Sequence, residues 1–140
     1  MSLSIKVSIV SSVEELYSGE AKRVFASASM GEVGILPRHA PFLTTLKPGE
    51  VRVETVTGEE HSIFVSGGIL EVQPDVVTVL SDTALRAQDL DEAKALKAKE
   101  EAEAVLASLQ GEQEIATTES ALAEAVAQLQ MIKKLRERKR

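Results

Sequence analysis

From Leu3 to about Ser81 the apolar residues recur at every second position, the period of a half-buried strand. Leu3, Ile5, Val7 and Ile9 alternate with Ser4, Lys6 and Ser8, and β-rich runs follow at RVFASA, VGIL, FLTTL, EVRVETV, HSIFVS, GILEVQ and VVTVLS. Turn-forming residues separate these runs at Ser18-Gly19, Met30-Gly31, Pro48-Gly49, Thr57-Gly58-Glu59 and Pro74-Asp75. Strands at such spacing predict an N-terminal antiparallel β-sandwich, or flattened barrel, of about ten strands. The runs flanking Thr57-Gly58-Glu59 predict a hairpin.

After Asp82 the period lengthens. Asp89, with Glu92 three residues on, predicts a capping box that opens a helix running to Gly111, a residue suited to ending it. A second helix is predicted from about Glu114 to Leu135, with Ile115, Leu122, Val126, Leu129 and Ile132 on one stripe. The short break between the two favours an antiparallel helical hairpin. The fold class is therefore mainly β plus α, with a sandwich domain over 1–86 and a two-helix arm over 87–140.

The facing stripe of the first helix is thin. Ala95, Ala98, Ala102, Val105 and Leu109 recur at helical steps, but each alanine withdraws only a methyl group from water. At about 25 cal/mol per Å² such a seam is much weaker than one built of leucines. Alanine's high helix propensity keeps each helix intact while the contact between helices stays modest. Periodicity alone leaves two readings open: an arm that leaves its resting place without unfolding, and a hairpin packed permanently in place.

Composition sharpens the contrast between the halves. All four aromatic residues, Tyr17, Phe25, Phe42 and Phe64, fall in the first half, so the second must pack with smaller side chains. At 140 residues there is room for one ordinary domain, or for a small domain with an appendage. The absence of cysteine removes disulfides, thiolate metal sites and a cysteine nucleophile. The opening MSLSIKVSIV lacks the continuous apolar run of a signal sequence, and no segment approaches the roughly 20 apolar residues that span a bilayer, so a soluble protein is expected. Charge is uneven: the last eight residues, KKLRERKR, hold six of the 16 basic groups and one of the 22 acidic ones, in a chain of net charge −6. A basic tip on an acidic body is suited to an acidic surface, nucleic acid or anionic lipid, or to solubility alone.

Nothing in the chain assembles into catalytic chemistry. His39 and His61 are far apart and lack metal-ligand spacing, so no metal site is expected. Ser66-Gly67-Gly68 matches neither the nucleophile elbow nor the phosphate loop, and its glycines instead suit a bulge or a close strand crossing. The basic tip carries no interleaved aromatics for stacking on bases. What stands out is GEVGILPRHAPFLTTLKPG, where Pro37 and Pro41 bracket His39 and stiffen a surface connection. Such a stiff loop serves equally as a binding edge or as a guide for a chain crossing between sheets.

Three segments, GEVGILPRHAPFLTTLKPGEVRV, VSGGILEVQPDVVTVLSDTA and DLDEA, in that order and separation, resemble the epsilon-subunit family of bacterial F-type ATP synthase. The two-texture layout resembles it as well. The resemblance implies a noncatalytic part of the rotor that binds the gamma subunit and sits on the ring of c subunits, peripheral to the cytoplasmic face of the inner membrane. It implies a ring and gamma docking edge made of Glu32, Gly34, Pro37, His39, Pro41 and Phe42, with Glu32 facing the polar loops of the ring.

The resemblance also implies that the C-terminal helices detach, extend along gamma and block ATP hydrolysis in the head, where they meet the alpha and beta subunits. Asp91, Lys94, Leu122, Val126 and Leu129 would belong to this regulatory arm. Realigned as continuous helix, residues 91–140 would reach about 75 Å at about 1.5 Å per residue. That carries the basic tip of Lys133, Lys134, Arg136, Arg138, Lys139 and Arg140 to the far end, where the family's beta subunits present an acidic loop. Members that hold ATP carry an arginine where Leu90-Asp91-Glu92-Ala93-Lys94-Ala95 has Lys94, and no arginine lies between Arg86 and Arg136. Guanidinium grips phosphate with two prongs and ammonium does not, so ATP binding to the hairpin is expected to be weak or absent. The competing reading is a free-standing adaptor or chaperone-like binding module that uses the sandwich as a platform and the hairpin as a clamp.

Overall fold

The computed structural model describes residues 3–108 and 112–138 and divides between Gln88 and Asp89 into two compact units. The division falls two residues beyond the 86/87 boundary expected from the sequence. Strands β1 (Ile5–Val10), β2 (Glu15–Ala28), β3 (Gly31–Ile35), β4 (Phe42–Thr55), β5 (Glu60–Val65), β6 (Gly68–Val72), β7 (Val76–Leu80) and β8 (Ala84–Arg86) make up the first unit. Their order is β3-β2-β1-β7-β6-β4-β5-β8, and an additional β2–β4 pairing closes five of them into a flattened barrel. The alternating residues Ile5, Val7 and Ile9 point inward, joined by Val24, Val51, Val53, Leu70, Val72, Val77 and Val79 in one buried core.

The strand number corrects the expectation of about ten: eight are found among the described residues. Two of the turn signals, Ser18-Gly19 and Pro48-Gly49, lie inside the long strands β2 and β4. The reason is that each long strand bends to serve two sets of partners. Residues Phe42 to Leu46 of β4 pair with β6, whereas Gly49 to Glu54 pair with β5, so Pro48 falls between the two ladders, where its missing N–H is not needed. The sheet is also not purely antiparallel, because β1 and β7 run parallel. The hairpin at Gly58 is present, with that glycine at φ 91° and Glu54 paired with Glu60.

Gly67 and Gly68 form the close crossing expected of them, at φ 118° and 130°. A Cβ on Gly68 would lie 2.0 Å from the carbonyl oxygen of Leu80, so no side chain fits there.

The second unit is a helical hairpin of α1 (Glu92–Ser108) and α2 (Glu112–Arg138), preceded by a single 3-10 turn at Ala87–Asp89. Asp91, not Asp89, caps α1: its Oδ1 accepts from the Lys94 N–H at 3.1 Å and its carbonyl from the Ala95 N–H at 3.0 Å. Those are the bonds of an N-cap residue, and Asp89 is spent in the 3-10 turn one step earlier. The second helix begins two residues before the predicted Glu114 and continues to Arg138.

Burial also shifts the predicted stripes. On α1 the buried residues are Ala95 and Ala102, with Lys99 and Leu106 half-buried beside them, while Ala98 and Val105 are exposed. On α2 the deepest residues are Ala125, Ala127 and Met131, and the predicted Ile115, Leu122, Val126, Leu129 and Ile132 are half-buried. The predicted Leu109 and helix-ending Gly111 lie outside the described residues.

Candidate docking edge and helical arm

In the first unit the segment from Gly31 to Phe42 forms one margin of the sheet. The strand β3 lies at the end of the sheet and pairs only with β2, Glu32 opposite Ser27 and Gly34 opposite Phe25. Alternation turns Val33 toward the core and leaves the Glu32 side chain in water. A Cβ on Gly34 would sit 3.3 Å from Cε1 of Phe25, so the glycine leaves room for that ring, over which the Arg52 guanidinium stacks at 4.6 Å.

The connection after β3 is a tight turn. The His39 N–H donates to the Leu36 carbonyl at 3.2 Å, with Pro37 and Arg38 in the two central positions. Proline fixes φ for the first, and Arg38 takes φ 65° at the second, the pattern of a type II turn. The Arg38 N–H donates to the Pro74 carbonyl at 2.9 Å, tying the turn to the loop between β6 and β7. The His39 ring donates from Nδ1 to the Ala40 carbonyl at 2.7 Å and lies 6.2 Å from the Phe42 ring. Phe42 pairs with Val72 and packs against the core, while Pro41 is exposed. Glu32, Gly34, Pro37, His39, Pro41 and Phe42 thus share one continuous margin, with backbone bonds rather than prolines alone holding it.

Sequence reasoning passed over the apolar residues of that margin. Met30 at the β2–β3 turn is 88% exposed, Leu36 58% and Leu43 67%. The alternation that buries Leu46 sets Leu43 outward, a signal present in FLTTL. The unusual backbone at Arg38 left no such signal, since a left-handed residue after proline is normally glycine or asparagine. Among the described residues no group of acidic, histidine or cysteine side chains could hold a metal ion.

In the second unit the predicted arm residues do different work. Asp91 spends its carboxylate on its own helix, and Lys94 enters through its backbone N–H while its side chain stands in water. Leu122, Val126 and Leu129 are half-buried along α2. Of the basic tip, Lys133 and Lys134 are exposed and Lys139 and Arg140 lie outside the described residues. Arg136 is engaged: its Nη1 donates to Glu92 Oε1 at 3.3 Å and its Nη2 donates to Oε2. These two bonds, followed by the charge of Glu92, hold the guanidinium pKa above its ordinary value. Arg138 is exposed and has interactions of its own.

The first unit is thus a mixed β-barrel with a stiff, apolar-edged margin, and the second a capped helical hairpin. The family model for the ATP synthase delta/epsilon chain beta-sandwich domain matches residues 4–87, and that for the delta/epsilon chain long alpha-helix domain matches 88–133. The chain belongs to the ATP synthase delta/epsilon chain family. It is therefore a noncatalytic subunit.

An ATP synthase epsilon chain of Ruthia magnifica subsp. Calyptogena magnifica is 57% identical over 136 residues, 97% of this chain and 98% of that one. One of Nitrosococcus oceani is 52% identical over 138 residues, 99% of each. Among solved structures, a chain of the Euglena gracilis mitochondrial ATP synthase, OSCP/F1/c-ring, superposes with a TM-score of 0.72 at 23% identity, covering 98% of this chain and 82% of that chain. One from the Tetrahymena thermophila mitochondrial ATP synthase central stalk and c-ring gives 0.63 at 13% identity, covering 94% and 95%. At such identities these two likenesses speak for the fold.

Proposed function

We propose that the protein is a central-stalk subunit that couples rotation of the c-subunit ring to the catalytic head through gamma, and that its helical hairpin restrains ATP hydrolysis. The observation that carries this reading is the tandem match of both family domains across 4–133, on relatives named ATP synthase epsilon chain that align end to end. The Gly31 to Phe42 margin supports it physically. A stiff edge with outward Met30, Leu36 and Leu43 beside the charged Glu32 offers apolar area rimmed by polar groups, the composition of a protein interface. In this reading Glu32 faces the ring and the adjoining turn completes the ring and gamma contact.

The hairpin acts on the alpha and beta subunits, with the basic end of α2 directed to an acidic surface. Exposed charges are screened beyond about 8 Å at physiological salt, so this contact weakens as salt rises. The subunit sits on the cytoplasmic face of the bacterial inner membrane as a peripheral part of the complex; among the described residues no helix is long and apolar enough to cross a membrane. Nucleotide sensing by the hairpin is weak or absent, because Asp91 is committed to its helix cap and Lys94 offers a single ammonium. Calorimetric titration of the isolated subunit with ATP checks this, and micromolar affinity overturns it.

The regulatory half is tested by ATP hydrolysis in the reconstituted complex, comparing the full chain with one ending at Asp89. Hydrolysis is expected to rise several-fold with the shortened chain. An unchanged rate removes the inhibitory role and leaves coupling to be judged by proton pumping in the same preparation.

A further inference from the structure

The strongest feature that the proposed function leaves unused is the pairing of Glu92 with Arg136. It joins the first turn of α1 to the last turn of α2, at the end of the hairpin away from the inter-helix connection. The residues are 44 positions apart, so the contact exists only while the hairpin is closed. The geometry is a fork on a carboxylate: two guanidinium nitrogens each on its own oxygen, which fixes the relative rotation of the two side chains as a single bond does not. Both ends are placed to suit helix polarity as well, since an anion is favoured in a first turn and a cation in a last one.

We propose that Glu92 and Arg136 form a clasp that closes the open end of the hairpin and withholds one guanidinium of the basic tip from outside carboxylates. The fully buried residues of the hairpin are mostly alanine, among them Ala95 and Ala102 on α1, so a polar tie at its end adds to contacts of small area. Side-chain exposures of 64% for Arg136 and 48% for Glu92 leave the pair open to salt and to competition. A surface rich in carboxylates competes with Glu92 for the same two-pronged site, so capture of Arg136 from outside opens the clasp and makes separation of α1 from α2 easier. That last consequence rests on the proposed role of the arm; the clasp itself does not.

Amide hydrogen exchange on the isolated full-length chain tests the clasp without the rest of the complex. The readout is Ala95, whose N–H is bonded to the Asp91 carbonyl at 3.0 Å, together with the next amides of α1. Arg136→Gln is the decisive variant, because it leaves Glu92 and the Asp91 cap untouched. At low salt these amides are expected to exchange about two- to fivefold faster than in the parent, the range for an exposed ion pair. Arg136→Lys, which keeps the charge and loses the fork, should fall between. In a Glu92→Gln background the further Arg136→Gln change should have no effect, and about 1 M salt should abolish the difference altogether.

Unchanged exchange in Arg136→Gln, or an equal effect of that change with and without Glu92, overturns the proposal. Because hydrolysis is not measured, failure here leaves the proposed inhibitory role standing. Failure of the truncation experiment likewise leaves the clasp standing.

Discussion

The two units spend hydrophobic area in opposite ways. In the barrel, Ile5, Ile9, Ile35, Leu70, Phe64 and a series of valines are almost wholly buried. Each such side chain contributes about 1.5–3 kcal/mol when withdrawn from water. In the helical unit the buried residues are alanines and Met131. A buried methyl group contributes about 0.8 kcal/mol, less than a buried valine or leucine side chain. Leu96 and Val105 are exposed, while Leu106 of α1 and Leu122, Val126, Leu129 and Ile132 of α2 are half-buried. The difference sets a barrel with a deep aliphatic core beside a helical unit whose fully buried residues are mostly small. Helix propensity and the Asp91 cap sustain the individual helices; they do nothing to hold the two together.

That contrast breaks most visibly at Gly68. Gly68→Ala combines a forbidden backbone conformation at φ 130° with a clash against the Leu80 carbonyl, and should destabilise the barrel by about 3–5 kcal/mol. Denaturant unfolding followed by barrel-specific and helix-specific signals should show the barrel transition move while the helical one stays within error. Equal movement of both would merge the units into one cooperative body.

Next in size is Asp91→Ala, which removes the α1 cap. It should cost the helical unit about 1 kcal/mol and leave the barrel transition where it was. Helical circular dichroism against temperature reads it, and no loss of helix stability would return the cap to another residue. The smallest effect is expected at Arg38, with the opposite sign. Arg38→Gly relieves the left-handed backbone at φ 65° but loosens the unfolded chain, so a net gain within about 1 kcal/mol is expected in the barrel midpoint. A clear loss would show that the Arg38 side chain, rather than the turn alone, holds the margin in place.

The sequence made the broad architecture legible because period two and helical periodicity are local properties. Alternation from Ile5 onward located the inward residues, and the stretch after Asp82 declared itself helical. What it misjudged depended on distant partners. Ser18-Gly19 and Pro48-Gly49 look like turns in isolation, yet β2 and β4 run through them because each exchanges ladder partners along its length. The parallel pairing of β1 with β7 joins segments some seventy residues apart and has no local mark.

The cap at Asp91 rather than Asp89 turns on a single hydrogen bond, and two aspartates so near each other give competing patterns. Of the candidate margin, the bracketing prolines were visible and Glu32 entered only through the family resemblance, whereas the bond from Arg38 to Pro74 was not visible. The Glu92–Arg136 pair was hidden for a similar reason: each is an ordinary surface charge until the hairpin brings them together.

Native-state hydrogen exchange over the whole chain, under increasing denaturant, measures the opening free energy of each unit separately. Amides of Val7, Val24, Val53 and Val77 should exchange only through global unfolding of the barrel, with strong denaturant dependence. Those of Ala102 and Ala125 should exchange through smaller openings of clearly lower free energy, reached while the barrel remains closed. If both sets converge on one opening energy and one denaturant slope, the helices are not a separately releasable part, and the account of two unlike units fails.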